Sequence, residues 1–242
     1  MNREQLVRRL VDWIQDKVTS GGCRGVVLGM SGGLDSSVLG VLCQRAFPKN
    51  VIGLIMPCYS DDKDKEHAET VARQFDIPTK IVGLKAVYDA ILYVLPDAKP
   101  EPARAQLAQA NLKARLRMAT LYFVANQKNY MVAGSSNRSE IAMGYFTKYG
   151  DGGVDLLPLG NLVKKEVREI ARHLGIPETI IKKVPSAGLW QGQTDEEELG
   201  ITYEALDRYL LENSAPEELK SRIEYKKAAS LHKRITPPIP EF

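Results

Sequence analysis

Gly25-Val26-Val27-Leu28-Gly29-Met30-Ser31-Gly32-Gly33-Leu34-Asp35-Ser36-Ser37 runs from a short apolar stretch straight into a turn of serines and glycines. The apolar part, Gly25 to Met30, has the length and continuity of a strand buried on both faces, as in a parallel sheet. Helical spacing follows from Ser36 to Ala46, so the turn lies where a strand ends and a helix begins. Open α/β sheets bind their ligands at that place. Two adjacent glycines let the backbone approach an anion, and the first amides of a helix have no internal partner. Ser31, Ser36 and Ser37 add hydroxyl donors. Asp35 by itself repels phosphate. A divalent cation shared by Asp35 and phosphate oxygens reconciles the two, because Mg2+ is commonly held by one or two carboxylates plus phosphates. Ser-Gly-Gly alone would pass for an ordinary capped turn, whereas the full S-G-G-x-D-S-S pattern at a strand end points to a nucleotide. The chain has no G-K-[ST], which argues against Walker-type chemistry, and no G-x-G-x-x-G, which argues against a Rossmann-held dinucleotide cofactor.

Working outward, Leu6, Val7, Leu10, Val11, Trp13 and Ile14 mark an amphipathic N-terminal helix over residues 1–18, broken by Thr19-Ser20-Gly21-Gly22. Downstream, strands are expected at Val51–Met56, Thr79–Val82 and Tyr130–Ala133. Helices are expected at Asp64–Phe75, Leu84–Val94 and about 103–126, the last after a Pro-punctuated linker, residues 96–102. This alternation predicts an α/β fold with an open parallel β-sheet and helices on both faces, joined by right-handed crossovers. Residues 134–155 are Gly- and Ser-rich, and long for a mere connection. Helices at Val163–Leu174, Thr202–Glu212 and about Pro216–Ala229 precede an extended tail at 235–240. The expectation is a single domain, 1–242.

Composition agrees. The 242 residues are 44% hydrophobic and 26% charged, close to the globular average. No apolar run approaches the ~18–20 residues of a membrane span, and the N-terminus lacks the h-region of a signal peptide. A soluble, cytoplasmic protein is expected. A net charge of +3 is too weak to indicate nucleic acid and suits an anionic small molecule. Cys23, Cys43 and Cys58 form no CxxC pair, so reduced thiols are expected rather than disulfides or zinc.

The loop at residues 29–37 resembles the pyrophosphate loop of the ATP pyrophosphatases, which cleave ATP between its α- and β-phosphates. The fold this implies is of the Rossmann-like adenine nucleotide alpha hydrolase type. Alone, the loop leaves NAD synthetases, the ATPase part of GMP synthetases, argininosuccinate synthetases and tRNA-thiolating enzymes open. Four later segments resemble the NAD synthetases: Asn111 to Met118; Gly134 to Glu140 continuing through Gly144 to Leu159; Pro185 to Trp190 with Gly192 to Gly200; and His232-Lys233-Arg234. The Tyr149-Gly150-Asp151-Gly152-Gly153 and His232-Lys233-Arg234 segments are the most specific.

The resemblance implies that Gly29, Met30, Ser31, Gly32, Gly33, Leu34, Asp35 and Ser36, with Ser135, Lys164 and Ser186, hold ATP. It makes Asp35 and Glu140 ligands of Mg2+, and Arg115, Lys148, Asp155, His232 and Lys233 contacts of deamido-NAD. The adenine pocket is expected near Met56-Pro57. Position 135 is Ser where many relatives carry Thr, which keeps the hydroxyl; Asn137-Arg138 departs from some bacterial relatives. Without the resemblance these residues have ordinary readings. Arg115 and Arg117 would be solvated helix charges, Lys148 and Asp155 a surface pair, His232 a surface histidine. The acidic run Asp195–Glu198 is left as a helix first turn, or part of a mobile loop over the site.

The implied reaction has two halves. The nicotinate carboxylate attacks the α-phosphorus of ATP, releasing pyrophosphate, and ammonia then displaces AMP from the adenylate. Ammonium has no lone pair, so a carboxylate must take its proton, and Asp151 is the candidate. The synthetase motifs leave no room for a glutaminase, so free ammonia is the expected nitrogen source. A homodimer through the 103–126 helix is also implied. Two other readings stay open: another adenylating enzyme with the same phosphate loop, and a non-catalytic ATP-binding regulator.

Overall fold

Four parallel strands, β1 (Gly25–Gly29), β2 (Val51–Ile55), β3 (Thr79–Ile81) and β4 (Tyr130–Ala133), form a sheet in the order β3-β2-β1-β4. The computed structural model describes residues 2–96, 101–190 and 192–240. Residues 97–100 of the expected linker lie outside the described residues, as does Gln191, which separates the two parts of the third segment. Register is fixed by pairs such as Val27 with Ile52 on one side of β1 and Val27 with Val132 on the other. The chain leaves β1 toward β2 but returns to its opposite side as β4. The strand order therefore reverses between β1 and β4, opening a crevice at their carboxyl ends.

The helices are α1 (Arg3–Ser20), α2 (Leu34–Ala46), α3 (Asp62–Gln74), α4 (Lys85–Val94), α5 (Pro102–Lys128), α6 (Arg138–Met143), α7 (Lys164–Leu174), α8 (Glu178–Ile181), α9 (Asp195–Leu199), α10 (Tyr203–Glu212) and α11 (Glu217–Ala229). Alternate strand residues face opposite sides. Val26 and Leu28 of β1 pack with α1, α2 and α7, whereas Val27 packs with α4 and α5. Each fully buried aliphatic side chain such as Leu28, Leu39 or Ile170 contributes about 1.5–3 kcal/mol of apolar burial. A smaller cluster, centred on Leu206 and Ile223, joins α6, α9, α10 and α11.

The sheet follows the sequence pattern, while helix bounds shift: α1 runs on through Thr19 and Ser20, which were expected to break it, and stops at Gly21, and α3 begins at Asp62 rather than Asp64. Two further departures bear on the site. Helix α2 begins at Leu34 rather than Ser36, which puts Asp35 in its first turn. The segment 134–155 is not all loop: α6 interrupts it, started by a capping box between Asn137 and Glu140, a pattern that satisfies orphan amides at both ends of the pair. No described helix is long and apolar enough to cross a membrane.

Burial separates the three thiols. Cys43 is fully buried and its pKa is pushed up to about 12 by that burial; Cys58 is buried and Cys23 only partly so. A thiol reagent is expected to modify Cys23 first in the native protein, with Cys43 and Cys58 reacting only on unfolding. Equal native rates at all three, read by mass spectrometry, would contradict this packing.

Candidate nucleotide site

The crevice holds a cavity of about 540 Å³ lined by the carboxyl ends of β1, β2 and β4 and the first turns of several helices. Of the expected phosphate loop, Gly29, Met30, Ser31, Gly33, Leu34, Asp35 and Ser36 line it. Gly32 supports the turn from behind: its φ is +74°, and a Cβ there would lie 2.0 Å from the Asp64 carbonyl oxygen. Only glycine allows that backbone and that approach. Ser36 and Ser37 hydroxyls donate to the Gly33 carbonyl, at 3.1 and 2.7 Å, which closes the loop onto α2.

Three charges from three helix starts meet at the loop. Lys164, the first residue of α7, donates from Nζ to Asp35 Oδ2 at 2.5 Å and to Glu140 Oε1 at 3.1 Å. Its backbone amide donates to Ser139 Oγ, and Ser139 in turn donates to buried Asp207 of α10, so α7 enters pinned. Asn137 links the cap of α6 to the loop: its Oδ1 accepts from the Glu140 amide and its Nδ2 donates to Asp35 Oδ1 at 2.8 Å. These bonds leave the Asp35 side chain only 13% exposed. Helix N-termini favour negative charge, so convergent first turns suit both the carboxylates and a phosphate ligand.

Burial pushes the Glu140 pKa up to about 7, Asp35 and Asp195 adding to the rise while Lys164 opposes it. Burial works against the charge on Lys164, but Asp35 and Glu140 outweigh it and hold its pKa above the usual range. The two carboxylates thus hold the Lys164 ammonium firmly in its charged form. Among the described residues no three His, Cys, Asp or Glu side chains gather as a complete metal cage. Two converging carboxylates fit a Mg2+ ion completed by phosphate oxygens and water.

Ser135, Lys164, Ser186, Glu140 and Asp151 also line the cavity, as do Met56 and Pro57. Asp151 accepts from the Thr147 amide at 2.8 Å; crowding by protein atoms raises its pKa, and the Thr147 amide and Lys233 oppose that. Lys233 lines the cavity and donates to the Gly144 and Phe146 carbonyls, both at 2.8 Å. Gly144 ends α6 at φ +63°, where a Cβ would meet Ser230, so the C-terminal turn can close against it. Lys148, His232 and Arg115 sit beside the lining residues rather than in them: Lys148 Nζ donates to the His232 carbonyl at 2.5 Å, and Arg115 to the Lys148 carbonyl at 3.4 Å.

Asp155 is not brought to this cavity. It accepts from Tyr122 Oη and the Val132 amide and borders a separate cavity of about 330 Å³ with Cys23 and Tyr130. The pattern reading also missed side chains. Arg117 is not a solvated helix charge: it donates to the Met56 carbonyl and Ser60 Oγ, lines the cavity, and burial lowers its pKa. Its spacing from Ala110, Ala114 and Leu121 on the buried face of α5 was the available signal. The acidic run is not a mere surface turn either. Asp195 is 4% exposed, takes a hydrogen bond from Tyr203 Oη at 2.9 Å, and faces the cavity; no local pattern distinguishes it from Glu196 or Glu197.

The sequence model for the NAD synthase family matches residues 6–237. An NH(3)-dependent NAD(+) synthetase of Carboxydothermus hydrogenoformans is 47% identical over 241 residues, 99% of this chain and 98% of the relative. Among solved structures, the NMN synthetase of Francisella tularensis superposes with a TM-score of 0.92 at 35% identity over 100% of both chains. An NH3-dependent NAD synthetase of Campylobacter jejuni superposes with a TM-score of 0.81 at 31% identity, also over 100% of both.

Proposed function

This chain belongs to the NAD synthase family, and on that premise we propose that it converts deamido-NAD, ATP and ammonia into NAD, AMP and pyrophosphate through an adenylated carboxylate. The observation that carries the reading is the meeting of Asp35, Glu140 and Lys164 at the glycine turn of β1, on the wall of one cavity that also reaches Asp151 and Lys233. The roles follow from position. Loop amides and Ser31, Ser36, Ser135 and Ser186 bind ATP phosphates. Asp35 and Glu140 hold Mg2+, which supplies charge neutralisation on the phosphates. Lys164 pairs with both carboxylates and aligns them beside the phosphates. Lys233 and the neighbouring Lys148, His232 and Arg115 receive the pyridine nucleotide, and Asp151 takes the proton of ammonium. Preorganised charge of this kind lowers the barrier without reorganisation during the reaction. Met56 and Pro57 receive adenine. Residues 1–242 act as one domain, in a cytoplasm that keeps the thiols reduced. Two copies associate along α5, on which Phe123 stays 64% exposed.

One observation favours a second substrate. The TM-score of 0.92 belongs to an NMN synthetase rather than an NAD synthetase, and the same chemistry on nicotinate mononucleotide would use the same ATP site. Incubation with ATP, Mg2+ and ammonium, with deamido-NAD or nicotinate mononucleotide in parallel, separates the readings by product analysis. NAD with AMP and pyrophosphate is the expected result; amidation of the mononucleotide alone would move the assignment, and ATP binding without turnover would favour a regulator.

Lys148→Ala and His232→Ala are expected to raise the KM for the pyridine nucleotide about 10-fold, the scale of one hydrogen bond to a charged group, with ATP binding little changed. Equal losses for both ligands would refute this division of roles.

A further inference from the structure

Six basic side chains line the cavity: Lys65, Arg117, Lys164, Arg168, Lys183 and Lys233. Five already have partners. Lys164 is spent on Asp35 and Glu140, Lys183 on Asp64, and Lys65 faces Glu69. Arg117 donates to Met56 and Ser60, and Lys233 to two carbonyls. Arg168 alone has neither a hydrogen bond nor an ion pair among the described residues, although it is half-buried. Its guanidinium offers five donors, and no described protein group accepts from any of them. Arg168 lies one turn beyond Lys164 on the same face of α7, since residues four apart are neighbours on a helix. Lys183 and Ser186 line the same cavity.

We propose that Arg168 binds the β- and γ-phosphates of ATP and holds pyrophosphate as it leaves. This rests on the reading above, in which the α-phosphorus is attacked. As the carboxylate oxygen bonds to that phosphorus, the bond to the bridging oxygen breaks and its electron pair stays on pyrophosphate. The departing group gains charge at the moment when Lys164 is already committed to two carboxylates. The planar guanidinium fork of Arg168 matches two phosphate oxygens at once, a geometry that lysine lacks. AMP, which keeps only the α-phosphate, makes no such contact.

Calorimetric titration of the full-length chain with inorganic pyrophosphate and with AMP, both in Mg2+, tests this without any pyridine substrate. Its outcome is therefore separate from whether deamido-NAD is the substrate. Arg168→Gln is expected to weaken pyrophosphate binding about 10- to 100-fold and leave AMP binding within about two-fold, with an intermediate loss for Arg168→Lys. The melting temperature should not fall, because the side chain has no protein partner to lose. Unchanged pyrophosphate affinity overturns the proposal, as do equal losses for pyrophosphate and AMP. Should Arg168→Gln fail to fold, Arg168→Lys carries the same comparison; wild-type pyrophosphate affinity there would also overturn it.

Discussion

Asp35→Asn is expected to fold and to lose about 10²–10³-fold in kcat, the scale of removing one preorganised charged group from an active site. The side chain keeps its shape and can still meet Asn137, but it no longer offers a charge to Lys164 or to a cation on the phosphates. Lys164 retains Glu140 at 3.1 Å, so the stability loss should stay at about 1–3 kcal/mol, that of a charged hydrogen bond. Initial rates at saturating ATP and Mg2+, beside a thermal melt, check both parts. Near-wild-type turnover would remove Asp35 from the site.

Lys164→Met is expected to cost more stability than any other single change at this site. It leaves Asp35 and Glu140, whose side chains are 13% and 15% exposed, facing each other with no ammonium between them. Leaving a buried charge uncompensated costs about 3–5 kcal/mol. The loss should depend on pH. Burial holds Glu140 at about 7 even with Lys164 in place, and removing the cation raises it further. A carboxyl raised in the folded state binds a proton that the unfolded chain has released, so stability falls as pH rises through the interval between the two pKa values. The deficit of the variant should thus be largest near about pH 8 and shrink toward about pH 5, as Glu140 takes up its proton. Urea unfolding at both values measures it, and a deficit independent of pH would show that the carboxylates are not the cause.

The strands, the glycine turn and the long helix α5 were legible because each is written in short-range pattern. Val26 to Met30 is a continuous apolar run, Gly32-Gly33 permits the turn, and α5 repeats its apolar positions at helical spacing. The cap of α6 was equally legible, since Asn137 and Glu140 stand three apart, yet the glycines around it read as loop. By itself the sequence determined the sheet, the phosphate loop and, by resemblance, the family.

The tertiary structure decided which charges face the cavity. Asp35 and Lys164 are 129 residues apart and 2.5 Å apart in space. Asp195 and Asp155 look alike as surface acids, but the first turns into the cavity and the second is consumed by Tyr122 and the Val132 amide. Arg115 and Arg117 are neighbours on one helix; only Arg117 lines the cavity, because about 100° per residue sets their directions apart. Pattern reports how a segment divides between core and solvent. Which partner a polar side chain meets depends on how separate segments pack, and that free energy is absent from any one of them.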